Sequence, residues 1–259
     1  MHAIVDSHVH LDLPAFNPDR VQVLARAQAQ GIETLIIPGV DRKGWATIRR
    51  MCAGDHRLHA AYGLHPLFVD HHAPNDVQAL SAWLDAGDAV AIGEIGLDFH
   101  AQAPDRDRQR DFFRAQLQLA RERGLPVVVH ARAAFEEASL MLREIGGLRG
   151  VVHSFSGSQQ QASRLWELGF CLGIGGPVTY PRARRLREIV AHMPGDFLLL
   201  ESDAPDQPDA GIRGQRNEPA RVANIARCIA ELRGESLAAL AATTTANARR
   251  VFGLDAKQV

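Results

Sequence analysis

Short apolar runs alternate with longer amphipathic stretches along the whole chain. Eight runs predict strands, at residues 3–9, 33–38, 58–64, 89–95, 126–130, 150–154, 170–174 and 197–201. Their centres are nearly continuous in apolar residues, as in Thr34-Leu35-Ile36-Ile37 and Val127-Val128-Val129. Strands buried on both faces have that pattern, and such strands form parallel sheets. Between them, helical spacing predicts helices at 19–30, 41–52, 75–85, 106–123, 135–145, 158–168 and 183–192, and the tail reads as two more, at 219–233 and 236–251. The clearest is 106–123, where Phe112, Phe113, Gln116, Leu117 and Ala120 share a face and Gly124 with Pro126 ends the helix. Pro219 after Glu218 suits a first helical turn, where no N–H bond is needed. Strands and helices in this alternation predict an α/β chain folded as a (β/α)8 TIM barrel. The rival is a doubly wound open sheet, which usually has fewer strands and often a Gly-rich phosphate loop after the first. Here the first strand runs into Ser7-His8-Val9-His10 instead. With no internal repeat, low-complexity tract or linker, residues 1–259 are expected to form a single domain.

Composition narrows the function classes. The formal net charge is −1, so no global positive field attracts nucleic acid, and any polyanion must be held by local arginines or by metal ions. Basic charge is almost all arginine, the lysines being Lys43 and Lys257. Cys52, Cys171 and Cys228 lie far apart and form no C-x-x-C, which argues against a disulfide framework and against zinc-thiolate chemistry. The first residues enter a strand-like run at Ala3 without a leader pattern, and no apolar stretch approaches about 18 residues. A cytoplasmic protein with no membrane association is expected. A monomer is expected too, since no extended apolar stripe is left once the helices are assigned.

The chemistry gathers at strand ends. His8 and His10 are two apart near the end of the first strand, so the period of two points both rings to one face, a half-site for zinc, manganese or iron. Glu94, His130, His153, Glu201 and Asp203 close other apolar runs, and His65 follows another. An ionisable group at the end of an apolar strand is costly to bury unless it is paired or bound to metal. In a parallel barrel these ends converge on the face where active sites lie. Four imidazoles (His8, His10, His130, His153) and two carboxylates (Glu94, Asp203) are too many for one tetrahedral ion and suit two ions sharing a carboxylate. Glu94 is the natural bridge, because no lysine lies near a strand end to serve as a carboxylated one. Other residues stay open between site and scaffold. Asp6 either orients His8 or is structural. Asp12 and Asp98 serve the site or cap helices, and Arg132 holds a phosphate or begins a helix. Arg182, Arg184, Arg185 and Arg187 read as a charged helix face, His71 and His72 as exposed loop residues, and His56, His59 and His192 as structural.

The chain resembles the TatD-type metal-dependent deoxyribonucleases of the amidohydrolase-like barrels, and within them the YjjV-like bacterial branch. The matching segments are Asp6-Ser7-His8-Val9-His10-Leu11-Asp12, Gly63-Leu64-His65-Pro66, Gly93-Glu94-Ile95-Gly96-Leu97-Asp98, Pro126 to Arg132, Val152 to Gly157, Leu200 to Pro205, Gln215 to Pro219 and Asn247 to Phe252. They run in the same order across essentially the whole chain. The resemblance implies two divalent ions (zinc, magnesium or manganese), the first held by His8, His10 and Asp203, the second by His130 and His153, with Glu94 bridging. It implies that His65 faces substrate or assists proton transfer, and that Glu201 and Arg132 support the site or bind the scissile phosphate. Ser202 stands where the family usually has threonine, which keeps the hydroxyl. The expected function is hydrolysis of DNA phosphodiesters, 3′-5′ exonuclease-like, on single strands or 3′ ends. Glu94, Asp203 and His65 are the expected catalytic residues. The alternatives are two-metal hydrolysis of an ester or amide, D-aminoacyl-tRNA deacylation among them, and a binding protein that keeps the fold without the chemistry.

Overall fold

The computed structural model describes residues 2–100, 102 and 104–254. Eight strands form one sheet in chain order, each parallel to the next: β1 (Ile4–Asp6), β2 (Ile32–Pro38), β3 (Leu58–Tyr62), β4 (Ala89–Asp98), β5 (Val127–Arg132), β6 (Gly150–Val152), β7 (Phe170–Ile174) and β8 (Leu198–Leu200). The sheet curls until its first and last strands meet. Ser7 N–H donates to the Leu200 carbonyl and Asp203 N–H to the His8 carbonyl, both at 2.9 Å. This is the TIM barrel the alternation predicts.

Helices follow the strands: α1 (Arg20–Ala29), α2 (Arg42–Gly54), α3 (Asp76–Leu84), α4 (Arg106–Arg123), α5 (Phe135–Ile145), α6 (Gln159–Glu167), α7 (Arg184–His192), α8 (Val222–Arg233) and α9 (Leu237–Phe252). The helix expected at 219–233 begins instead with a 3-10 turn, Pro219–Arg221, ahead of α8.

Every strand contributes to the barrel interior. Val5, Ile36, Ala61, Ala91, Val128, Val151, Cys171 and Leu199 form an inner cluster with Ala248, Val251 and Phe252 of α9. Helix α9 is tied to the N-terminal ends of the strands. Thr245 Oγ1 donates to the Ala3 carbonyl at 2.8 Å, and the Asn247 side-chain amide to the Leu198 carbonyl at 3.0 Å. It plugs that end, so the opposite mouth is the one available for chemistry.

Two strand boundaries matter for the site. β1 ends at Asp6, so His8 lies beyond it rather than within the expected 3–9, and His10 lies farther past its end. The segment bends at Ser7 but stays tied to both neighbours, with Ser7 N–H bonded toward β8 and Val9 N–H donating to the Ile36 carbonyl of β2 at 3.1 Å. β4 runs past its expected end because it keeps pairing with β5, Gly96 opposite His130 and Asp98 opposite Arg132. Glu94 therefore sits inside a strand, not at its tip. Gly96 permits this close pairing: its φ is +143°, and a Cβ there would lie 1.9 Å from the His130 carbonyl oxygen. Among the described residues, no helix is long and apolar enough to cross a membrane.

Candidate metal centre

Glu94 is at the middle of the mouth and 2% exposed. Its two carboxylate oxygens divide the imidazoles. Oε2 faces the Nε2 atoms of His8 and His10, at 3.3 and 3.4 Å. Oε1 faces His153 Nε2 at 2.7 Å, His130 Nδ1 at 3.0 Å and His65 Nε2 at 3.0 Å. Asp203 joins the first set, its Oδ1 lying 3.6 Å from His8 Nε2 and 3.8 Å from His10 Nε2. Asp203 has φ +54°, unusual for a residue with a side chain, and residues held there cluster at functional sites.

The atoms behind the ring decide which nitrogen each imidazole offers. His130 Nε2 lies 3.0 Å from Asp98 Oδ2, so that nitrogen carries the proton and Nδ1 faces the centre. This is the carboxylate–histidine arrangement that orients metal ligands. His65 differs. Its Nδ1 accepts the Leu67 N–H at 3.1 Å, which leaves the proton on Nε2 and makes that atom a donor toward Glu94. Asp203 Oδ2 accepts from the Gln207 amide at 2.5 Å, and the same amide donates to Ser154 Oγ at 2.6 Å.

Protein groups alone leave this cluster short of positive charge. Burial opposes the Glu94 charge, yet the surrounding rings of His65, His153 and His8 outweigh it and hold the carboxyl well below its usual range. Burial also opposes protonation of His10 and His130, but Glu94 at His10, and Asp98 together with Glu94 at His130, push both up to about 9. Burial pulls His65 down to about 4 and His8 well below its ordinary value. Two rings are thus driven to hold protons by buried carboxylates, while the His8 and His10 Nε2 atoms face each other at 3.2 Å. A divalent cation meets the same demand without crowding protons together, and a mixed imidazole and carboxylate set suits such an ion. The residues fit a metal centre.

The remaining site expectations fall out as follows. Asp6 does not touch the His8 ring. It accepts the His8 backbone N–H at 3.3 Å and the Ser202 hydroxyl at 2.6 Å, clamping the β1–β8 seam. Burial raises its carboxyl to about 7 against those bonds. Asp12 is half-buried, and burial raises its carboxyl while the charge of His10 lowers it. Glu201, expected to support the site or the scissile phosphate, is fully buried and stands behind the described cavity wall, grouped with His8 and His153. Its Oε1 accepts the Ser154 N–H at 2.6 Å and lies 3.9 Å from His153 Nδ1. Burial, with Asp203 adding to it, drives this carboxyl well above its usual range. Gly173 makes room for it, since a Cβ there would sit 2.0 Å from Oε2. Arg132 reaches the rim with a side chain 56% exposed, 4.0 Å from Asp98. His72, expected to be exposed, is buried, and its Nε2 lies 3.0 Å from the His65 carbonyl oxygen.

The mouth is a cavity of about 560 Å³ whose wall includes His10, His65, Glu94, His130, His153 and Asp203. Ser154 and Gln207 also line it, as do Leu67 and Phe68 of the 3-10 turn Pro66–His71. Sequence reading does not single out these four. The segments around His65, His153 and Asp203 bracket them, but nothing in a local pattern says that a Gln four residues after Asp203 folds back onto it.

Residues 5–253 match the family profile described as TatD related DNase. The chain belongs to the TatD family. It is 37% identical to the "uncharacterized metal-dependent hydrolase YjjV" of Escherichia coli K12, covering 96% of this chain and 98% of that protein. It is 33% identical to the "3′-5′ ssDNA/RNA exonuclease TatD" of Klebsiella pneumoniae 342, over 98% and 99% of the two chains. The crystal structure of Escherichia coli YjjV superposes with a TM-score of 0.93 at 36% identity, covering 96% of this chain and 98% of that one. As a TatD protein the chain is a metal-dependent hydrolase.

Proposed function

We propose that this TatD protein is a deoxyribonuclease that removes nucleotides from single strands or 3′ ends, using two divalent ions that Glu94 would hold together with the surrounding histidines and Asp203. The observation that carries the two-ion reading is the partition of five imidazoles between the two oxygens of one buried carboxylate. The choice of DNA is supported by the family description and by the exonuclease name of the Klebsiella relative. The same reading has the enzyme working as a monomer in the cytoplasm.

Divalent ions in such a centre supply Lewis acidity toward a phosphoryl group and toward an attacking water. His8, His10 and Asp203 would hold one ion, and His130 and His153 the other. Asp203, on the cavity wall beside His8 and His10, would take the proton from that water. The Gln207 amide fixes the acceptor by occupying Oδ2. His65, protonated on Nε2 and directed at Glu94, would turn that same N–H toward the charge that develops on the phosphoryl oxygens. Arg132 stands at the rim to take a non-bridging oxygen.

The test uses protein stripped with chelator and refilled with Mg2+, Mn2+ or Zn2+, acting on 5′-labelled single-stranded DNA beside Glu94→Ala. Stepwise shortening from the 3′ end that returns with metal and is absent in the variant is expected. DNA left intact by every metal, in protein that still takes up two ions per chain, would overturn the nuclease and turn attention to ester and amide substrates.

A further inference from the structure

Four large apolar side chains are prominently exposed among the described residues: Val21, Leu67, Phe68 and Leu140. Val21 and Leu140 are single residues on α1 and α5, as is ordinary on a protein surface. Leu67 and Phe68 are adjacent, 42% and 39% exposed, and both line the cavity beside His65. Their turn is pinned. Pro66 and Val69 are buried beneath it. Phe68 N–H donates to the His65 carbonyl at 3.0 Å, the His72 ring meets that same carbonyl, and Arg108 donates to the His72 carbonyl. The turn therefore presents Leu67 and Phe68 outward as a fixed feature.

The Phe68 ring meets His65 at an angle, with centroids 5.8 Å apart and planes at 61°, so the two rings do not stack face to face. The other aromatic ring on the described wall, Phe155, is buried and packed against Phe135 at 5.1 Å. Phe68 alone is in a position to receive a planar group. Arg132 is the one arginine on the described wall, and the wall holds no lysine. An exposed aromatic, a charge-bearing centre and a single cation on one cavity match the parts of a nucleotide.

We infer that Leu67 and Phe68 form a nucleobase platform. The base next to the scissile phosphate stacks on Phe68 while that phosphate lies between Glu94, His65 and Arg132. The inference rests on the nuclease reading above. It assigns Phe68 to substrate affinity without base identity, since every base has a π-face.

The experiment compares single-stranded oligonucleotides with ordinary bases against ones carrying a tetrahydrofuran abasic unit at the terminal or penultimate 3′ position. The metal-loaded native enzyme, Phe68→Ala and Phe68→Trp are assayed, with metal content and far-UV dichroism confirming each fold. For the native enzyme, KM should rise about 10-fold to 100-fold when the stacked base is removed. Phe68→Ala should show the same rise on the base-bearing strand and no further rise on the abasic one, and Phe68→Trp should restore native KM. Cleavage by the native enzyme that ignores the abasic unit overturns the platform and leaves the nuclease standing. So does a Phe68→Ala penalty of equal size on both substrates. No cleavage of any strand by the native enzyme sinks both.

Discussion

Asp98 shows what a single side chain adds to the centre. It is fully buried at the end of β4, accepts the His100 N–H at 3.0 Å with one oxygen, and meets His130 Nε2 with the other. That second contact fixes the His130 tautomer, so a ring that could turn either edge to the centre offers only Nδ1. Asp98→Asn keeps the shape but can turn an NH2 toward Nε2 and removes the charge that holds the proton there. Metal affinity should fall about 10-fold to 100-fold, as is usual when a ligand loses its outer partner. Titrating Zn2+ or Mn2+ into stripped protein measures it. Unchanged affinity would mean that His130 is held by its neighbours alone. Sequence leaves Asp98 open between site and helix cap, and for a clear reason. Its partner is 32 residues away, and only the pairing of β4 with β5 brings the two together.

At the scale of elements, the pattern is legible where a strong period meets a stop signal. Helices α4 and α5 and strand β7 have the very bounds that the sequence predicts. The misses come from ladders. Val9 and Leu11 continue the apolar alternation past Asp6, so nothing local says that regular pairing ends there, and β4 continues through polar Glu94 because β5 continues beside it. The six proposed metal ligands are all legible in the sequence because each follows or interrupts an apolar run. Glu201 stands out for the same reason, yet its side chain turns into the wall where Gly173 of β7 leaves space. His72 reads as exposed because its burial depends on Phe112 and Arg108 of α4, against which its ring and carbonyl pack. A second pair of elements shows how such long-range ties respond to acid. Asp209, before the turn Ala210–Ile212, accepts two hydrogen bonds from Arg221 at the start of α8, at 2.5 and 2.8 Å. Burial opposes the Asp209 charge, but Arg221 outweighs it and lowers the carboxyl below its ordinary value. A depressed folded value stabilises the protein fully above the unfolded value of about 3.9, and the contribution disappears as pH falls through the folded one. The stability gap between native protein and Asp209→Asn should therefore be widest near neutrality and close below about pH 4. Urea melts of both, stripped of metal, from pH 7 to pH 3 measure it, and a gap that stays constant with pH would show that the pair contributes packing rather than charge.

For the whole molecule, the two ends of the barrel divide labour. Helix α9 seals the N-terminal end with Val251 and Phe252, so substrate can approach only the mouth, and the net charge of −1 gives a polyanion no long-range reason to do so. The attraction has to be local, and the start of α7 is placed to provide it. Leu186, Ile189 and Val190 turn inward, leaving Arg182, Arg184 and Arg185 exposed. Arg185 donates to the Ser156 carbonyl at 3.0 Å, and Ser156 and Leu186 themselves line the cavity. The charged helix face seen in the sequence thus borders the mouth, where, on the proposed nuclease reading, a strand entering the site would carry its phosphates. Replacing Arg184 and Arg185 together with Glu should raise KM for single-stranded DNA on the order of 10-fold at low salt. It should also flatten the dependence on salt, by about 0.7 in log K per log of salt for each phosphate that is no longer neutralised. Hydrolysis of bis(p-nitrophenyl) phosphate, too small to reach α7, should be unchanged. A native salt slope in the double variant would mean that the strand leaves the mouth on another side, and an equal loss on the small diester would mean that the substitutions disturb the centre itself.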